Sequence, residues 1–178
     1  MMIHKRWLLL VLLGLAALGA HGQEKKVQWV RFEKAVELNK EEPKKILIDV
    51  YTDWCGWCKK MKKETFNHPA IAQYINQHFY PVRFNAEGNQ QVTFKGKTFK
   101  RKDTGGRKTH ELAVALLQGR MSYPSVAYMD ENNQLITAVP GYYSPKDIEP
   151  ILKFFTNDAY KKQSYEDFKK EFTRTLTD

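Results

Sequence analysis

Apolar runs of strand length alternate along the chain with segments of helical period, a rhythm that predicts a layered α/β domain. Residues 27–30 (Val-Gln-Trp-Val) read as a first strand. Over residues 32–42, Phe32, Ala35, Val36 and Leu38 fall on one side of a helix, and Pro43, which has no N–H to offer, ends it. Lys45–Tyr51 is a short apolar run with several β-branched residues and reads as a buried strand. Residues 59–66 hold neither Gly nor Pro and predict a helix that reaches about Asn67 and breaks near Pro69. Ile71, Tyr74, Ile75 and Phe79 carry a second helical stripe over 70–79, and residues 81–85 form the next strand. The order β-α-β-α-β calls for parallel strands joined by right-handed crossovers.

The second half keeps the same logic. Residues 92–100 alternate apolar and polar side chains about Gly96, which predicts a β-hairpin. Residues 110–117 read as a helix with Leu112, Leu116 and Leu117 inward, closed by Gly119. Ser125–Met129 and residues 135–139 are strands joined by a polar turn over 130–134. Ser144, Pro145 and Asp147 supply a helix start, with a cap, Pro at the first position and an acid three residues after the cap; that helix runs to about Phe155. Ser164 caps a last helix, with Tyr165, Phe168, Phe172 and Leu176 along one face. Such a face packs on its own domain or docks on a partner.

The N-terminus follows a different pattern. His4, Lys5 and Arg6 precede an uncharged apolar run over residues 7–20, and Ala20-His21-Gly22 places small residues where a signal peptidase reads them. Residues 1–22 are expected to be a signal peptide cleaved after Gly22, leaving 23–178 as one domain in the periplasm or outside the cell. An uncleaved anchor is the competing reading, but the run is short of the about 20 residues that span a bilayer, and no stable membrane insertion is expected. The chain holds 29 Lys and Arg against 20 Asp and Glu. Losing Lys5 and Arg6 leaves a moderate basic excess, suited to acidic partners or membrane surfaces and not to nucleic acid in an exported protein.

The chemistry lies in Cys55 and Cys58, the only cysteines of the sequence, set as C-x-x-C between the strand Lys45–Tyr51 and the following helix. A helix start presents unpaired N–H groups and the positive end of the macrodipole, which stabilise a thiolate. A structural bridge is the weaker reading, because a loop this short restricts the unfolded chain very little. Asp49 interrupts the buried strand with a carboxylate, which either takes up a proton at a raised pKa or faces water at a sheet edge. Zinc needs about four ligands in a structural site, and beyond the cysteines only scattered His68, His78 and His110 are at hand. Lys59 stands where c-type haem attachment would need a His. No metal or other cofactor is therefore expected beyond the redox-active Cys55–Cys58 pair.

Residues 46–59, Ile-Leu-Ile-Asp-Val-Tyr-Thr-Asp-Trp-Cys-Gly-Trp-Cys-Lys, resemble the active-site segment of the thioredoxin superfamily, whose usual pattern is W-C-G-P-C-K. Trp57 replaces the Pro. Residues 65–71 and 79–85 are similar to exported bacterial members. The resemblance covers about residues 27–155 and implies a thioredoxin-like α/β fold, a central mixed sheet flanked by helices; a basic hairpin insertion over about 88–108 and an extra C-terminal helix over about 160–178 lie outside it. It implies Cys55 as attacking thiolate, Cys58 as resolving thiol, and Asp49 as a buried proton acceptor. It also implies a cis peptide before Pro124 and substrate contacts at Trp54, Gly56, Trp57, Tyr123, Pro124 and Gly141.

The implied function is thiol:disulfide exchange that reduces disulfides of exported proteins, recharged by an upstream thiol donor, for which a membrane protein is a candidate. A disulfide-forming oxidase, an isomerase and a non-catalytic binding or chaperone module are the alternatives. From Lys95 to Lys108 there are seven basic residues and one acid, Asp103, a segment that reads as a solvated loop or as an arm for an acidic partner. Gly105-Gly106 lacks the rest of a phosphate-loop motif.

Overall fold

The apolar run at the centre of the sequence becomes the centre of the sheet. β1 (Lys45–Tyr51) lies between β2 (Phe79–Asn85), which runs parallel to it, and β7 (Ser125–Met129), which runs antiparallel. β8 (Leu135–Pro140) completes the order β2-β1-β7-β8. This computed structural model describes residues 26–104 and 107–176. The expected leader, its cleavage point and Gly105-Gly106 lie outside those residues.

Both faces of the sheet are covered, which is why β1 from Ile46 to Val50 is apolar except at Asp49. Side chains alternate across a strand. Ile46, Ile48 and Val50 accordingly pack with Phe32 and Ala35 of α1 (Phe32–Glu41) and with Leu112 and Leu116 of α4 (Glu111–Leu116). Leu47 points the other way, into a cluster with Met61 of α2 (Gly56–Met61), Ile71 and Ile75 of α3 (Pro69–His78), and Ile148 and Leu152 of α5 (Pro145–Thr156). The arrangement is the thioredoxin-like fold with a mixed sheet between helical layers.

Several elements depart from the sequence reading, each for a physical reason. The expected first strand shrinks to one parallel bridge between Val30 and Val82, where the Val30 N–H donates to the Pro81 carbonyl at 2.9 Å. The N and O of a strand residue point to the same side, so Pro81 lacks its donor on this outer edge and cannot extend the ladder there. The helix begun by α2 does not stay α-helical: Lys62–Phe66 forms one π turn, closed by Asn67 N–H to Lys62 O at 3.1 Å. The wider turn leaves Thr65 and Phe66 both buried, with Thr65 Oγ1 donating to Tyr143 O at 2.6 Å.

The basic segment builds two hairpins rather than one. β3 (Val92–Phe94) pairs with β4 (Lys97–Phe99), and β5 (Arg101–Thr104) pairs with β6 (Arg107–His110). His110, expected inside a helix, ends β6 and caps α4 instead, its Nδ1 accepting from Leu112 N–H at 3.1 Å. The expected last helix is α6 (Tyr165–Glu171), after which the chain extends and folds back. There Thr175 N–H and Leu176 N–H both donate to Glu149 Oε1 of α5, at 2.7 and 2.8 Å. Phe168 of α6 packs on Phe154, so the amphipathic face is spent within the chain. Among the described residues no helix is long and apolar enough to cross a membrane.

Candidate active site

The chain leaves β1 at Tyr51 and turns sharply, with Cys55 N–H donating to Thr52 O at 3.2 Å. That turn makes Cys55 the N-cap of α2 with an extended backbone, φ −71° and ψ 105°. Its Sγ accepts the Cys58 N–H at 3.0 Å. A sulfur in this position receives an orphan donor of the first helical turn, the interaction that favours a thiolate once the pair is reduced. Here the two sulfurs are joined as a disulfide of 2.07 Å with Cα atoms 5.3 Å apart. Cys55 is 4% exposed and Cys58 1%, so both residues are buried and the first is the less covered.

The rim around this covered pair is aromatic. Trp54 and Trp57 are 67% and 58% exposed, the largest apolar side chains left in the open among the described residues. On one side the Trp54 indole N–H donates to the Glu87 carboxylate at 3.1 Å, and its ring meets Tyr123 edge-on with centroids 6.0 Å apart. On the other side Trp57 packs against Tyr142 at 5.4 Å, and the Lys60 ammonium sits over both rings at 5.2 and 5.3 Å. Tyr142 in turn donates to Glu64 at 2.7 Å. Gly56, first in the helix, has open space where a Cβ would stand.

The Tyr123–Pro124 peptide is cis. Gly141 N–H donates to Pro124 O at 2.8 Å, tying the chain just after β8 to this loop. With φ at +105°, position 141 strongly favours glycine. Of the residues singled out in the sequence, Trp54 meets Tyr123 and Gly141 bonds Pro124, while Gly56 and Trp57 stand between the two cysteines in the chain. Sequence reasoning missed Glu87, Lys60 and Tyr142. Glu87 lies 33 residues from Trp54, and nothing local in the chain announces the contact.

Asp49 is neither at an edge nor alone. It alternates with Leu47 and so faces the layer holding Met61 of α2. It is 1% exposed, and its register partner on β2 is Arg83, whose Nε donates to Asp49 Oδ2 at 3.0 Å. Burial pushes the carboxyl up to about 6, while the charges of Arg83 and Lys62 and the Arg83 hydrogen bond pull it down. Burial prevails, leaving a carboxyl that changes charge near neutrality. Arg83 stacks on Tyr51 at 3.9 Å and borders an open groove of about 320 Å3 shared with Lys59, Lys62 and Lys63. Arg83 therefore reaches the groove, with Asp49 buried behind it. Among the described residues no cluster of three or more His, Cys, Asp or Glu side chains converges on one point.

Comparison with known proteins agrees with this geometry. A family model for the thioredoxin-like domain matches residues 32–156. A segment of 45 residues is 38% identical to the "Thiol:disulfide interchange protein DsbD" of Vibrio vulnificus, covering 25% of this chain and 8% of that much longer protein. A thioredoxin-fold protein from Helicobacter pylori superposes with a TM-score of 0.55 over 85% of this chain and 89% of its own, at 19% identity. A structure described as "DsbH Oxidoreductase" gives a TM-score of 0.53 at 17% identity, over 78% of this chain and 87% of its own.

Proposed function

Because the chain belongs to the thioredoxin-like family, we propose that it is a thiol:disulfide oxidoreductase that reduces disulfides of exported proteins in an extracytoplasmic compartment. The observation that carries this reading is the Cys55 sulfur at a helix N-cap, joined to Cys58, on the layer above a buried carboxylate held near neutrality. In the reduced protein the Cys55 thiolate attacks one sulfur of a substrate disulfide, and the other sulfur leaves as a thiolate that takes a proton. The Cys58 thiol then loses its proton, with Asp49 as acceptor, and attacks the Cys55 sulfur. The substrate departs with two electrons as a dithiol, and the Cys55–Cys58 disulfide remains. An upstream thiol donor must return those electrons; the DsbD relative is a thiol:disulfide interchange protein, and a membrane partner of that chemistry fits the role.

The reducing direction is supported by what surrounds Cys55. Trp57 brings no positive charge of its own, so position 57 does not add the stabilisation of the thiolate that a His there would supply. Substrate is held as an extended segment along the Tyr123 backbone and between the two aromatic rims, with Gly56 and Gly141 leaving room for its main chain.

The test is insulin reduction driven by dithiothreitol. Cys55→Ser should abolish turnover. Cys58→Ser should attack but fail to release, accumulating mixed disulfides when incubated with exported extracts. Unchanged insulin reduction in both variants would remove the catalytic reading. A potential near about −270 mV supports a reductase, whereas one near about −120 mV assigns an oxidase.

A further inference from the structure

Resting on the thiol:disulfide reading, we propose that the paired strands of residues 92–104 and 107–110 are a docking arm for redox partners that carry an acidic protein surface beside their cysteines. The arm is built, not a loose loop. Val92 and Phe99 are buried in the cluster around α1 and α4, and Phe94 meets Phe32 edge-on at 5.2 Å. Lys100 N–H donates to the Glu111 carboxylate at 3.1 Å, and Glu111 N–H returns a bond to Lys100 O at 3.1 Å. With its apolar side chains turned inward, the arm presents Lys95, Lys97, Lys100 and Lys108 to water. Among the described residues none of these four is paired with a carboxylate, whereas Lys102 is tied to Glu111 at 2.6 Å.

The arm is also wired to the site. Its Arg101 Nη1 donates to the Glu87 carbonyl at 3.3 Å, and the Glu87 side chain holds the Trp54 indole beside Cys55. A partner seated on the lysines therefore lies against the Trp54–Tyr123 rim. A second open groove, lined by Arg31, Tyr51, Arg83 and Val92, joins the foot of the arm to the lysine-lined groove behind α2. Basic side chains border both grooves, Arg31 and Arg83 in one and Arg83, Lys59, Lys62 and Lys63 in the other. Charge arranged this way steers encounter and fixes orientation more than it adds affinity. A protein is favoured over an anionic bilayer because no apolar side chain among the described residues of the arm is exposed to enter lipid.

The experiment uses three disulfide-bonded peptides of one sequence whose flanks are Asp/Glu, Asn/Gln or Lys. At ionic strength of about 0.02 M, where the Debye length exceeds about 20 Å, kcat/KM for the acidic peptide should exceed that for the neutral one by at least about tenfold. The preference should vanish at about 0.3 M salt and in the Lys95→Glu/Lys97→Glu/Lys108→Glu variant, with the neutral peptide's rate unchanged by the variant. A rhodamine-labelled acidic peptide with Ser for Cys reads docking without turnover. Its anisotropy should rise on binding wild type and not the variant, so docking is tested even if no peptide is reduced. Equal rates for acidic and neutral peptides, or equal anisotropy for wild type and variant, overturn the proposal. Co-sedimentation with phosphatidylglycerol vesicles without any peptide preference overturns it in favour of a membrane surface.

Discussion

Asp49→Asn should make the protein more stable relative to wild type at pH 8 than at pH 4. Burial raises the folded carboxyl from 3.8 to about 6, so the folded state binds its proton more tightly than the unfolded chain does. Below the unfolded value Asp49 is protonated in both states and carries no penalty. As pH rises from about 4 to about 6 the unfolded chain ionises first, and stability falls; above the folded value the penalty is complete. A shift of this size is worth about 3 kcal/mol. Most of it, about 2.5 kcal/mol, develops between pH 4 and pH 8. Asparagine keeps the shape and cannot ionise. It leaves Arg83 without its carboxylate, but Arg83 stacks on Tyr51 and borders an open groove. That loss is nearly constant over this range and cancels when the two pH values are compared. Urea unfolding of both oxidised proteins at pH 4, 6 and 8 should show the wild-type curve falling away from the variant by about 2 to 3 kcal/mol. Parallel profiles would refute a raised Asp49. The same variant should reduce insulin more slowly between pH 6 and 9, because the resolving step loses its proton acceptor. Equal rates would take Asp49 out of the mechanism even if the stability result holds.

Trp57→His should lower the Cys55 pKa and raise the potential, since an imidazolium beside the thiolate replaces an uncharged ring. Thiolate absorbance against pH, with equilibration against glutathione, reads both; a wild-type pKa below about 5 would overturn the reducing assignment. Glu149→Gln should free the tail, because one buried carboxylate accepts from Thr175 N–H, Leu176 N–H and Arg174 Nε. Faster exchange of the Thr175 and Leu176 amides and a loss of about 1 to 3 kcal/mol in urea are expected; unchanged exchange would show that the tail is held by its apolar contacts alone.

The parts of this fold that were legible in the sequence are those whose signal is local. β1 could be read residue for residue because both its faces are buried and its composition says so. The start of α5 could be read from Ser144 and Pro145, although Ser144 bonds the Asp147 side chain and not a backbone N–H. What escaped depends on who lies opposite. Residues 27–30 have strand character, but the outer edge they meet contains Pro81, so a single bridge forms. The π turn at Lys62–Phe66 leaves no mark in a run of good helix formers. Residues 101–104 and 107–110 are too polar to be read as strands, and they pair as a hairpin anchored by Arg101, Glu111 and buried His110.

The candidate site divides along the same line. Cys55 and Cys58 lie within four consecutive positions of the chain, and their chemistry follows from the strand before them and the helix after. Their setting is assembled from distant places: Asp49 meets Arg83 across β1 and β2, Trp54 meets Glu87, and Trp57 meets Tyr142 from the far side of the cis-Pro124 loop. Each of these partners modifies a residue that the sequence had already singled out. Arg83 holds the pKa of Asp49 below the value that burial alone would give it, so the carboxylate can accept a proton and still ionise near neutrality. Glu87 places a negative charge at the Trp54–Tyr123 rim, while the lysines of the arm lie outside it. An acidic flank on a substrate would thus be drawn to the arm and repelled from the rim, which orients the substrate's disulfide toward Cys55 with its charge pointing away.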